Sequence, residues 1–455
     1  MPERETFRGY LEAVEAQIRW KRARPVVALE LEQHLEDQRD ALTEEGASPE
    51  EAERRTLLDM GDPVTVGTAL DRVHRPRPSW GMLALVGLSC CVWLGWQAWS
   101  YPPYNGRIEL SALVLLLGVG VMAAVYFADY TMFGKNPLLL AVSGTVIAAL
   151  AAQAQFFDNY YSVIYIVLLL PMTTALAIYA LRGKGYGGLA ICCALAAAQL
   201  FPAFVYETEL LRALCPPLVC NTILLGAAVG RGWFGKRKWI SAGIILAFAL
   251  VSAGGLFALS VWNHRWDELL TFTKEFYQRE YAVQRRDWFF QAANLFGMAD
   301  LPEHLAENLR DPFANGSSIY FFDWVILRWG WAAFAAVQLP VLGLLAWGWR
   351  RVKQQTAVLG RLLGETALLL LTYQTVAALL SLLMELMGLF PFSLEFAKYP
   401  YPFLAQGGTA LVLDFALLGL LLSVFRNGSI VRDDEAGNSR ILKRRTKAET
   451  AVLPN

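Results

Sequence analysis

From Trp80 to Phe425 the chain is a succession of apolar runs long enough to cross a bilayer, and this limits the available folds more than any other feature. The runs lie near residues 80–99, 108–127, 137–154, 162–181, 187–205, 210–229, 239–260, 321–347, 363–388 and 408–425. A segment crossing hydrocarbon must satisfy its own backbone hydrogen bonds, which selects helices. The expected fold is therefore all-α: a polytopic membrane bundle of ten transmembrane helices, preceded by a small N-terminal cytosolic helical domain. Hydrophobic residues make up 55% of the chain and charged residues 18%, which is too apolar for an ordinary soluble enzyme. Pro171, Pro202, Pro216, Pro217 and Pro340 fall inside these runs and mark kinks.

The few charges between the runs suggest an orientation. One set of connectors carries Lys135, Arg182, Lys184, Arg231, Lys236, Arg237, Lys238, Arg350, Arg351, Lys353 and Arg361, whereas the opposite short connectors carry only Arg107, Arg212 and Lys398. The positive-inside bias then puts both termini on the cytoplasmic side of the membrane. The organisation read from this is a helical domain at 1–76, a membrane domain at 77–425 with a large extracytoplasmic loop at 262–320, and a basic cytosolic tail at 426–455. That outer loop interleaves aromatics such as Trp266, Phe272 and Trp288 with both signs of charge, as an amphipathic helix on the outer leaflet or a folded cap would. The first long apolar run starts only near Trp80, so no cleavable signal peptide is expected. The six cysteines form no Cys-x-x-Cys pair and His34, His74, His264 and His304 are scattered, so no metal, cofactor or disulfide framework is expected. Lys+Arg and Asp+Glu are both 40, and nothing points to a nucleic-acid partner.

Within the first 76 residues, Phe7, Leu11, Val14 and Ile18 recur at helical spacing, followed by Val27, Leu31 and Leu35. Gly46 closes the second helix. Ser48-Pro49-Glu50-Glu51 then supplies an N-cap, a first-turn proline and a capping-box glutamate, and Met60-Gly61-Asp62-Pro63 ends the third helix.

The stretch from Gly388 to Ala410, GLFPFSLEFAKYPYPFLAQGGTA, joins two apolar runs at a membrane surface. Pro391, Pro400 and Pro402 fix φ and remove backbone donors, while Gly407 and Gly408 permit close backbone approach as the next helix begins. Glu395, Lys398 and Gln406 provide polar groups. This composition fits a well-anchored outer connector or a re-entrant, substrate-facing loop covered by protein or a wet cavity.

Two resemblances follow from such motifs. The segments YLEAVEAQIRW, ELEQHLEDQ, EEGASPEEAE, MGDPVTVG and LDRVHRP resemble, in that order, the permease-prefix (HAAS-type) domain of Gram-positive membrane proteins, which implies a regulatory or protein-contact role. The body resembles the SEDS family (shape, elongation, division and sporulation, of the FtsW, RodA and SpoVE type). Gly388-Leu389-Phe390-Pro391 matches the family's G-L-L-P, and Tyr401 to Ala410 matches L-P-F-x-S-Y-G-G-S-S, with Asp129-Tyr130 resembling a further dipeptide. The resemblance implies ten spans, and polymerisation of lipid II into peptidoglycan strands at the outer membrane face. It also implies a class B penicillin-binding transpeptidase as partner in division, shape or sporulation. Substrate contacts implied on the matching residues are Pro402, Gln406, Gly407 and Gly408.

At one position the chain departs from that pattern. The family's L-P-E-x-x-T-D-F-I-F begins on Leu301-Pro302-Glu303, but with the later glycine on Gly330 the catalytic aspartate falls on Ile319, which cannot accept a proton. Asp311 and Asp323 are the candidate substitutes. Non-catalytic scaffolding therefore stands beside glycosyltransfer as a reading, and transport of a lipid-linked precursor is a weaker third. Arg328 replaces one of the family's paired glutamates. It and Asp414 each lie about 10 Å into a span at ~1.5 Å per residue. Charges at that depth are usually paired. The expectation is that Arg328 pairs with Asp414 or with Glu385, or that it binds a diphosphate.

Overall fold

The computed structural model describes residues 7–21, 23–74, 80–100, 107–128, 130–153, 160–200, 210–262, 292–300, 319–386, 401–404 and 408–427. Among them are fifteen α-helices and no strand. The chain divides into two compact units, Met1–Pro78 and Ser79–Phe425.

The first unit contains α1 (Phe7–Gln17), α2 (Arg24–Glu44), α3 (Pro49–Met60) and α4 (Pro63–His74). Tyr10, Val14, Leu31 and Leu35 form its core with Leu57 and Leu70, and Ile18, Ala23 and Val27 continue it. Ser48 caps α3 by accepting from the Glu51 N–H at 3.3 Å, and the chain turns at Gly61 with φ 79°. The expected capping box closes on one side only. The Glu51 carboxylate does not reach back to Ser48 but accepts from Arg54 and Arg55 one turn along the helix. A charge-assisted bond to a guanidinium outcompetes one neutral backbone donor. Asp62 caps α4, accepting from the Thr65 N–H at 2.9 Å and its hydroxyl at 2.7 Å. Helices α1 and α4 approach so closely at Gly67 that a Cβ there would lie 2.8 Å from the Val14 carbonyl oxygen.

The second unit contains α5 (Trp80–Ser100), α6 (Arg107–Phe127), a 3₁₀ turn (Tyr130–Gly134), α7 (Pro137–Gln153), α8 (Tyr160–Leu181) and α9 (Gly185–Ala198). It continues with α10 (Leu210–Gly230), α11 (Lys238–Trp262), α12 (Ile319–Trp329), α13 (Trp331–Lys353), α14 (Val358–Leu386) and α15 (Gly408–Asn427). Three stretches are long and apolar enough to cross a membrane: Trp331–Lys353, Val358–Leu383 and Gly408–Arg426, with seven shorter apolar helical stretches among the described residues. Helix α8 packs against α7, α9, α10 and α14, so it lies at the centre of one half of the bundle. The expected span at 321–347 is interrupted: α12 ends at Trp329, Gly330 adopts φ 88° and α13 starts at Trp331.

Without a hydrophobic drive between helices in lipid, small residues and buried polar bonds hold such bundles together. Both occur here. Helices α6 and α15 meet at glycines: a Cβ on Gly118 would lie 2.5 Å from the Phe415 ring, and one on Gly419 would lie 2.5 Å from the Met122 carbonyl oxygen. Ser423 adds a bond to the Ala128 carbonyl at 2.9 Å. A chain of side-chain bonds crosses four segments of the other half. Thr145 on α7 meets Thr173 on α8 at 3.1 Å, and Gln199 after α9 donates to Thr173 and Thr174 at 2.8 Å. Asn221 on α10 then donates to Gln199 at 2.7 Å.

Candidate functional site

The signature loop enters the described structure at Tyr401, where four buried residues form a tight turn. The Leu404 N–H donates to the Tyr401 carbonyl at 3.1 Å, with Pro402 second and Phe403 third in the turn. Phe403 has φ 62°, the only positive φ of a non-glycine among the described residues. Proline second and a left-handed residue third is the type II pattern, in which glycine or asparagine is the usual third residue. A phenylalanine there is strained, and the surroundings offset the strain in two ways. Its N–H donates to Asp414 Oδ2 at 3.0 Å, and its ring packs edge-on against Phe415 at 5.9 Å.

Asp414 on α15 is fully buried. Gln374 on α14 interacts with the same carboxylate, although its amide makes no hydrogen bond of standard geometry. Asp414 Oδ1, both Gln374 amide atoms and the Tyr401 hydroxyl are buried without a hydrogen-bond partner among the described residues. The turn is thus latched by a buried acid that the Phe403 N–H and the Gln374 side chain both approach.

On its other side the turn meets α12. Phe322 stands edge-on to Tyr401 at 5.2 Å and to Phe334 on α13 at 5.3 Å, bridging the loop to both halves of the broken span. The break exposes backbone groups that the preceding segment satisfies. Ala299 and Gly297 donate to the Leu327 and Trp329 carbonyls at 2.7 and 3.1 Å. Asn294 and Leu295 carbonyls accept from Trp331 and Ala332 at 3.2 and 3.1 Å. A Cβ at Gly330 would lie 2.6 Å from the Leu295 carbonyl oxygen, so the junction requires glycine. Irregular backbone at this depth is sustained by protein covering it.

The expected pairing of Arg328 with Asp414 is not formed. Arg328, in the last turn of α12 and partly exposed, donates to Met298 Sδ at 2.9 Å, whereas Asp414 takes the Phe403 N–H. The turn leaves a backbone donor directly above the acid, so the acid acquires a buried partner without a cation. Glu385 lies near the end of α14 and Asp323 in α12, but their side chains lie outside the described residues, as do Asp311, Gln406 and Gly407. Ile319 is the first residue of α12. Pro402 is enclosed in the turn, and Gly408 starts α15 where a Cβ would meet Val114 at 3.1 Å. Sequence reasoning missed the Gly330 junction, for which a lone glycine between Trp329 and Trp331 is the available signal.

No described protein family and no curated protein matches the chain. Solved structures do match. One chain from a structure titled "Structural coordination of polymerization and crosslinking by a peptidoglycan synthase complex" is similar with a TM-score of 0.52 at 16% identity, covering 77% of this chain and 98% of that one. The rod-shape-determining protein RodA of Thermus thermophilus, as found and as a point variant, gives 0.49 at 16% identity, with 77% of this chain and 97–98% of those chains covered. The first of these similarities shows that the polytopic helical fold is shared.

Proposed function

We propose that this chain is a SEDS-like protein of bacterial peptidoglycan assembly that engages lipid II at the outer membrane face. The observation that carries the reading is the fold shared with a chain of a peptidoglycan synthase complex, along nearly the whole of that chain. The signature residues Tyr401 to Leu404 support it, since they form a strained, latched turn against the broken span and not a loose connector. On this reading the chain lies in the cell membrane with both termini cytoplasmic, works with a class B penicillin-binding transpeptidase, and carries its N-terminal unit as a regulatory prefix domain. Arg328, with no carboxylate among its described partners, is then the group available to a diphosphate.

In glycosyltransfer an acceptor hydroxyl loses its proton as it attacks an anomeric carbon bearing diphosphate, and a carboxylate base contributes about 10²–10⁴-fold. Asp414 is enclosed and engaged with Phe403, so its place is in positioning the turn. Asp311 and Asp323 remain the candidate bases. A second reading, a non-catalytic scaffold that keeps the lipid II contact, is favoured by Ile319 at the position where the resemblance puts the base. Incubation of the purified protein with lipid II, with and without a transpeptidase partner, separates the two. Glycan polymer that disappears in Asp311→Ala or Asp323→Ala supports the enzyme. No polymer from the native chain, with polymer gained in Ile319→Asp, supports the scaffold.

A further inference from the structure

At the end of the bundle opposite the signature turn, the close of α8, the α10–α11 turn and the start of α14 bring arginines together with almost no acid. Arg231, just after α10, and Arg361 on α14 both donate to Oε1 of Glu365, the latter at 3.1 Å. Two guanidiniums thus share one carboxylate oxygen. Arg182, just after α8, spends one N–H on the Tyr179 carbonyl at 2.6 Å and lies over the Tyr179 ring at 3.9 Å. The Gly183 N–H donates to the Trp233 carbonyl at 2.9 Å, which fixes the α8–α9 turn to the α10–α11 turn. Arg231 lies 5.0 Å over the Trp233 ring.

This hydrogen-bond set is incomplete. Arg182 Nε and Arg231 Nη1 have no acceptor among the described residues, although both atoms are buried. Residues 160–200 and 210–262 contain no Asp or Glu, so Glu365 is the one carboxylate bonded to the cluster among the described residues, while Lys184, Lys236, Arg237 and Lys238 add further positive charge. A buried guanidinium N–H left without an acceptor is costly, and an anionic oxygen from outside the chain would relieve that cost. The side chains of Arg231 and Arg361 remain 21% and 30% exposed, which leaves an edge of the cluster open to such a group.

We propose that Arg182, Arg231 and Arg361 form a site for a phosphate oxyanion, and that the occupant is the headgroup of an anionic phospholipid in the leaflet this end meets. Guanidinium matches phosphate with paired donors. The proposal is independent of any cell-wall activity.

Native mass spectrometry of the full-length protein, released from detergent after exposure to phosphatidylglycerol or phosphatidylcholine, tests it. The expected result is one phosphatidylglycerol that survives where phosphatidylcholine is lost, weakened roughly tenfold or more in Arg182→Gln and Arg231→Gln. Lys353→Gln, which removes a charge from α13 without touching the cluster, is expected to retain it. Should Arg231→Gln fail to fold for loss of its Glu365 bond, Arg182→Gln carries the test, since Arg182 pairs with no carboxylate among the described residues. Displacement of the lipid by millimolar inorganic phosphate would make free phosphate the ligand of the same oxyanion site. Equal retention of both lipids, or equal loss in Lys353→Gln, would overturn the proposal in favour of undirected charge.

Discussion

Phe403 and Asp414 show how a single side chain sustains a backbone that the sequence alone would not choose. A non-glycine at φ 62° stores of order 1–3 kcal/mol, and it is held by one hydrogen bond and one aromatic contact. Asp414→Ala removes the acceptor beneath a buried N–H and is expected to destabilise the protein by about 1–3 kcal/mol. Asp414→Asn keeps an acceptor oxygen and is expected to lose much less. Thermal unfolding of both variants in detergent checks this, and equal loss in the two would remove the hydrogen bond from the account. Gly330→Ala should be as damaging, because its Cβ meets a carbonyl oxygen and its φ is left-handed. At this scale the sequence was half legible. Depth in an apolar run marked Asp414 as important, but it suggested a cation as partner. Hydropathy does not reveal which way a side chain faces, or that a proline turn would present a free N–H to it.

Among the elements, the helices followed directly from the apolar runs because length and hydropathy are what a membrane selects. The interruption at Gly330 was not legible, since one residue barely alters the hydropathy of a long run. Its cause lies in a distant segment, Asn294 to Ala299, that supplies the missing backbone partners. The seam between α6 and α15 gives a prediction at this scale. Gly118→Leu, pressed against Phe415, is expected to cost about 1–3 kcal/mol by overpacking, whereas leucine at the more open Gly120 should be nearly neutral in the same melting assay. In the N-terminal unit, Arg54 and Arg55 hold the Glu51 carboxyl below its usual range, and the Thr65 hydroxyl and N–H do the same for Asp62. Folded values below unfolded ones mean stabilisation that is present above the unfolded carboxylate range and fades as pH falls through the folded values. Amide exchange in the intact protein, corrected for intrinsic rates, should therefore show α3 and α4 losing protection relative to α2 below about pH 4. Protection unchanged in acid would contradict the assignment.

For the whole molecule, the all-helical class and a membrane bundle were readable from the chain, and the fold is that of a solved peptidoglycan synthase chain at only 16% identity. Packing explains how so little identity suffices. A bundle needs apolar length, small residues at close crossings and a few satisfied polar groups, and many sequences supply these. Chemistry is less forgiving. The same sequence freedom placed Ile319 where the resemblance expects a base, so the likeness carries the fold, and recognition of the lipid and turnover each need their own test.

The proposed place in peptidoglycan assembly requires that this chain recognise lipid II. That recognition is most directly measured by titrating labelled lipid II onto the purified protein in nanodiscs, with polyprenyl phosphate lacking the sugars as competitor. Saturable binding that unlabelled lipid II displaces and the sugarless lipid does not, weakened in Arg328→Gln, is the predicted result. Binding no greater than that of the polyprenyl chain alone would contradict a place for this protein in peptidoglycan assembly.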